Sequence, residues 1–302
     1  MAVLEVTPSA GPPTRDPEAA PAAPPAPRAY RAPRWPRALA VAALLALVAY
    51  LAVPLLAGLW YSFWVPGEGL TLTALTDALS SPAVMGSLGL SLGLSAASVV
   101  ILLVLLVPTV VLLHVSAQRF RPLVEVICML PLVVPAIALV AGVMAVLRAV
   151  VEAGEAARAV SQFLQDPSFP IVLLGCYVVV LLPFTFRIID NALSTIPVAQ
   201  LLDSARGLGA PFPLAVLLVI VPNIRASLWY CAFFGLSAGL AEFTFSITLG
   251  FHTLSVELMT LSGSNFRTSI AVSLLVTLLS WALMIVVLQA SNRFATSRKA
   301  SA

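Results

Sequence analysis

The chain has 302 residues, 60% of them hydrophobic and 10% charged, with a mean hydropathy of +1.03 and a formal net charge of +3. That balance excludes an ordinary soluble core and places the chain in a lipid bilayer. The single lysine, Lys299, and the lack of any Gly-Lys pair exclude an ATP-binding phosphate loop, and a small charge scattered between apolar runs argues against nucleic-acid binding.

Ten of the 24 prolines fall within the first 36 residues, among alanines and without apolar periodicity, so residues 1–37 predict a disordered tail. Arg28, Arg31, Arg34 and Arg37 precede the first apolar run, which is too long for a secretory signal. A spanning helix needs about 20 apolar residues to cross roughly 30 Å of hydrocarbon. Residues 39–60, 85–113, 124–147 and 171–189 meet that need and predict four spans, with kinks at Pro131, Pro135 and Pro183. Residues 211–249 carry only Arg225 and Glu242 as charges, yet one helix of that length would extend about 58 Å. Pro222, Asn223 and Arg225 are therefore the expected break, with a short interfacial helix over 214–221 and a fifth span over 226–249. Residues 269–288 predict the sixth. The expected fold is an all-α membrane protein, with six transmembrane helices over 38–292 and a tail over 293–302.

With the N-terminus inside, one side receives thirteen basic residues and the other only Arg148, Arg158 and Arg267. Basic residues are enriched on the cytoplasmic face, so both termini are expected there.

Inside the spans, Ser87, Ser91, Ser95 and Ser98 share a face of the second helix with Gly89 and Gly93 close by, which suits helix packing or the lining of a path. Glu242 is costly in a membrane, about 2.5–3.5 kcal/mol at a helix centre. It is a candidate for a pathway or gating role, with Ser246 four residues on along the same side; an interhelical hydrogen bond and a protonated buried acid remain alternatives. His114 and His252 are expected to be solvated, and Cys128, Cys176 and Cys231 to be packing residues. No catalytic constellation, metal-ligand spacing or cofactor motif is present, so neither an enzyme nor a cofactor is expected.

The most informative segment lies between the fourth and fifth spans, residues 194–222. Ser194 or Thr195 can cap a short helix, Pro197 suits its first turn, and Gly207, Gly209 and Pro211 end it. Val198, Leu201, Leu202 and Ala205 form one apolar stripe on a helix too short to span, which must either bury against the chain's own spans or dock on another protein.

This segment resembles the cytoplasmic loop of permease subunits of bacterial ATP-binding-cassette importers. Their pattern is Glu-Ala-Ala, three residues, Gly, nine residues, Ile, one residue, Leu-Pro. Here Asp203-Ser204-Ala205, Gly209 and Val219-Ile220-Val221-Pro222 keep that register, with Asp for Glu, Ser for Ala, and Val for both Ile and Leu. Leu182-Pro183-Phe184 and Gly239-Leu240-Ala241-Glu242-Phe243 are similar to the polyamine-type branch. The resemblance, over about 87–288, implies a multi-pass inner-membrane subunit whose coupling loop (Asp203, Ser204, Ala205, Gly209, Pro222) meets cytoplasmic ATP-binding subunits. It further implies a second permease subunit, identical or not, and an extracytoplasmic substrate-binding protein. Polyamines are the implied substrate, with iron, thiamine or aminophosphonates as alternatives. A self-sufficient secondary carrier or channel is the competing function, with Glu242 as its ion site.

Overall fold

The structure, a computed structural model, describes residues 37–67 and 69–299. The expected tail over 1–37 lies outside them apart from Arg37. Apart from a two-residue antiparallel ladder, β1 (Trp64–Val65) with β2 (Gly69–Leu70), the described chain is helical.

Helix α1 (Arg37–Phe63) is divided between two units of the chain, one ending at Tyr50 and the other beginning at Leu51. The first contributes an apolar helical stretch; all packing described below belongs to the second. There, α2 (Thr73–Ser80) leads through Ser81 into α3 (Pro82–Val115). The Ser81 hydroxyl accepts from the Val84 N–H, and Pro82 opens the helix, where a missing donor costs nothing.

The expected third span is a bent pair, α4 (Arg121–Val133) and α5 (Ala136–Glu152), which meet at 98°. Pro131 is carried inside α4, whereas Pro135 forces the break. The residue before a proline is pushed out of the helical region, and Val134 has φ −88° and ψ 125°. Then follow α6 (Glu155–Leu164), α7 (Ile171–Ser194) and the loop helix α8 (Val198–Gly207).

The next segment corrects the sequence reading. A short α-helical piece, α9 (Phe212–Ala215), runs through a π turn (Val216–Ile220) into α10 (Val221–Leu240), so that residues 212–240 form one helix of 29 residues. Pro222 does not break it, because the π turn widens the ladder where the ring would meet a carbonyl, with the Val221 N–H donating to Val216 O. The interruption comes instead at residues 241–243, before α11 (Thr244–Leu249). Helix α12 (Leu254–Ser264) precedes α13 (Phe266–Lys299), which continues through most of the stretch expected as a C-terminal tail.

Five described helices are long and apolar enough to cross a membrane, six if the bent pair counts as one span. The protein is an all-α membrane protein. Helix α3 is the central element and packs on α7 and α10. Gly235 and Gly239, four apart on α10, permit that approach, since a Cβ at Gly239 would overlap Ser95 and one at Gly235 would overlap Val99. The small face of the second span is thus used in packing: Ser91, Ser95 and Ser98 are buried.

Candidate functional site

Helix α8 carries the loop expected to couple. Ser194 and Thr195 do not cap it; their hydroxyls donate back to Asp190 O and Ala192 O at the end of α7, and Pro197 occupies the cap position. The other end is a Schellman turn. Gly209 has φ +86°, the Gly209 N–H donates to Arg206 O at 2.9 Å and the Ala210 N–H to Ala205 O at 3.1 Å.

The two faces of α8 are sharply divided. Val198, Leu202 and Ala205 are buried in the chain's main apolar cluster, which includes Leu106 and Val110 of α3 and Ile220. Burying Val198 and Leu202 contributes about 1.5–3 kcal/mol each. The apolar stripe therefore anchors the helix to its own chain, and Ala205 belongs to that anchor. Asp203 and Ser204 face outward with Gln200 and Arg206, the Ser204 hydroxyl donating to Gln200 O, and Leu208 is 90% exposed beside the glycine turn. Pro222 lies inside the 212–240 helix rather than in the loop.

A polar clamp stands behind α8. Asp190 on α7 holds His114 Nε2 at 2.9 Å and accepts from Arg121 Nη2 at 2.9 Å, joining the ends of α3, α4 and α7. His114 and Asp190 side chains are only 12% and 15% exposed, so His114 is paired rather than solvated as expected. Charge-assisted bonds of this length contribute about 1.5–3 kcal/mol, less on the more exposed Arg121 arm. The partners are 76 and 69 residues apart in sequence, beyond any local pattern. His114 and Arg121 also border a cleft of about 390 Å³ whose other wall is the start of α8, Pro197 to Gln200. The Glu125–Arg187 contact, 3.7 Å and exposed, adds little.

Glu242 sits in the interruption between α10 and α11, half-buried rather than at the centre of a continuous span. Its Oε1 accepts the Phe245 N–H at 2.7 Å, its N–H donates to Gly239 O, and its carbonyl accepts from the Ser255 hydroxyl. The carboxylate thus caps the first turn of α11, where a negative charge is favoured. Ser246, on α11, is fully buried, and its Oγ lies 3.3 Å from the Tyr177 hydroxyl on α7. A further tie crosses the same region: the Leu254 N–H, opening α12, donates to the buried Ser91 Oγ at 2.8 Å. Glu242 and Ser246 are therefore brought together with α3, α7 and α12, and neither meets the α8 loop.

The three cysteines are free and buried, and no group of three His, Cys, Asp or Glu among the described residues could hold a metal ion.

Comparison with family models finds no match, and comparison with curated proteins finds none. Among solved structures, the fold is similar to a chain in the crystal structure of a bacterial alginate ABC transporter in complex with an alginate pentasaccharide-bound periplasmic protein. The TM-score is 0.59 at 18% identity, covering 86% of this chain and 93% of that one. At that identity the likeness is one of fold.

Proposed function

We propose that this chain is the permease subunit of a bacterial ATP-binding-cassette importer, forming part of the translocation pathway and coupling it to separate ATPase subunits. The observation that carries the reading is the division of α8 into a buried anchoring face and an outward face ending at Leu208 and Gly209. A short helix fixed on one side and bare on the other can transmit a push from a bound protein to the spans beneath it. The fold likeness to a bacterial alginate ABC transporter supports the same reading, and the periplasmic protein in that complex supports an extracytoplasmic binding protein as a partner.

In this reading the α8 loop and both termini face the cytoplasm, in keeping with the basic asymmetry, and a second permease subunit completes the pathway. Asp203 and Ser204 meet the ATPase, and Ala205 holds the helix in place. Gly209 sets the exit direction of the chain, and Pro222 and its π turn carry motion into α10. Glu242 and Ser246 serve the pathway by fixing the α10–α11 interruption, and the substrate class is a polyamine.

Purification in mild detergent from the native host tests this directly: an ATPase subunit should copurify with the wild-type chain. Leu208→Asp and Gly209→Pro should lose it while the chain still inserts, and Leu208→Asp, on an exposed side chain, should also melt normally. Retention of the ATPase by both variants would reject the coupling role.

A further inference from the structure

Helix α6 is ten residues long, about 15 Å at 1.5 Å per residue, and cannot cross a bilayer. It precedes the span α7, and α8 follows that span, so α6 and α8 lie at opposite faces of the membrane. We propose that α6 is an interfacial helix seated on the bilayer at the face opposite α8, with Ala156, Ala159, Val160 and Phe163 turned into lipid.

At 3.6 residues per turn the ten residues fall into three sectors. The first faces the protein: Ala157 and Leu164 are partly buried, and Ser161 is 1% exposed. Gln165, just past the helix, donates from its amide nitrogen to the Ser161 hydroxyl at 2.8 Å, so the polar atom in this sector is satisfied internally. The exposed residues divide by chemistry. Glu155, Arg158 and Gln162 form a polar stripe, whereas Ala156, Ala159, Val160 and Phe163 form an apolar one, with Val160 54% and Phe163 67% exposed. A surface helix in water turns its apolar stripe toward the core. Here Ser161 occupies the inward side and the apolar stripe faces out. Two outward stripes of opposite polarity both meet a suitable solvent only at the boundary between water and lipid.

The path of the chain sets the depth. Ala153 and Gly154 reverse direction after α5, and Gly154 has φ +130° and ψ 179°, a conformation open essentially to glycine alone. Helix α6 therefore packs back on α5. A cavity of about 290 Å³ lined by Met144, Arg148 and Glu152 of α5 together with Gln165 puts the far end of α6 beside the last turns of α5. Val146 in those turns is 63% exposed, so α6 runs at the depth of a turn that itself presents apolar surface outward. A protein partner fits this stripe less well than lipid does. Stable protein interfaces draw on about 20–30 residues a side, and the α6 stripe supplies four side chains.

The test is spin labelling of the full chain, with whatever subunits copurify, in nanodiscs of phosphatidylethanolamine and phosphatidylglycerol. Single cysteines replace Arg158, Ala159, Val160, Gln162 and Phe163 in turn. All five side chains are exposed, and the native cysteines are buried, so the unsubstituted chain should take up no label. Access to oxygen, which concentrates in the acyl region, is compared with access to a water-soluble nickel chelate. The oxygen-to-nickel ratio should be several-fold higher at Ala159→Cys, Val160→Cys and Phe163→Cys than at Arg158→Cys and Gln162→Cys. It should place the first three about 5–10 Å below the headgroup boundary. Nickel access at 160 and 163 equal to that at 158 and 162 would put α6 in water and overturn the proposal. Low access to both reagents at 160 and 163 would mean that protein covers the stripe, and would overturn it as well. Variants whose melting temperature departs from that of the unsubstituted chain are set aside, and any one of the apolar positions with one of the polar positions suffices to decide.

Discussion

The two ends of α10 reverse what their sequences suggest. At one end stand a proline, an asparagine and an arginine, Pro222, Asn223 and Arg225, yet the helix passes through them from Phe212 to Leu240. At the other, Ala241-Glu242-Phe243 contains neither proline nor glycine, and there the helix stops. The difference is where the backbone groups find partners. Near Pro222 the π turn re-pairs the ladder, and the Asn223 amide donates to Val219 O at 2.7 Å, so no interruption is needed. At residues 241–243 a carboxylate, a hydroxyl and a neighbouring carbonyl satisfy the freed groups, so an interruption is affordable inside an apolar chain.

The largest effect should come from disturbing what pins the interrupted end. A Cβ on Gly239 would stand 2.8 Å from Ser95 Cβ and 3.3 Å from its Cα, so relief requires α10 to move off α3. Gly239→Val should destabilise by about 3 kcal/mol or more, at the upper end of overpacking costs. Gly89→Val, whose added Cβ meets nothing within 4 Å, should be close to neutral. Thermal unfolding in detergent reads both. Equal melting temperatures for the two variants would show that the close approach does not hold the interruption in place.

Glu242 sharpens the comparison further. Glu242→Ala removes the acceptor from the Phe245 N–H and should cost about 0.5–2 kcal/mol, the ordinary range for a lost helix cap. Glu242→Gln keeps an oxygen that can accept the same bond, so most of the stability should survive, along with uptake by the reconstituted complex. A fall in uptake with Glu242→Gln in an intact, thermally normal complex would assign the charge itself a role in the pathway.

How much of this was legible in the sequence depends on range. The spans could be read because apolar runs are local, and so could the end of α8, where Gly209 adopts the left-handed conformation that a helix-ending glycine suits. Which way α8 faces could not, since its apolar stripe would look the same against its own spans or against a partner. Nor could the His114–Asp190–Arg121 clamp, whose members lie on three different helices. Gly235 and Gly239 lie four apart in the sequence, but their significance comes only from Ser95 and Val99 opposite. Glu242 reads in the sequence as an expensive residue that demands a reason. The assumption that its span was continuous hid the reason, because a cap can be recognised only once a helix is known to begin there.

The smallest effect is expected at the uninterrupted end. Pro222→Ala restores a backbone donor and removes the ring, and by propensity alone alanine is much the better helix former, by about 3 kcal/mol in a helix interior. If the proline were the sole cause of the π turn, the ladder would close into a regular α-helix in the variant. That closure would rotate residues 212–220 by roughly 100° relative to α10. Ala215, Val216 and Ile220, all buried in the main cluster with Val198 and Leu202 of α8, would then leave their places. Losing even one such aliphatic contact costs about 1.5–3 kcal/mol, enough to offset the gain. Packing should therefore retain the π turn after the proline is gone, and the net change in stability should stay within about 0.5 kcal/mol. A cysteine pair placed at exposed Leu217 and Val104, which border the same apolar hollow, reports the geometry. Its crosslinking rate should be the same with Pro222 or with alanine at that position. A changed rate together with a raised melting temperature would mean that Pro222 alone sets the turn, and that tertiary packing follows it.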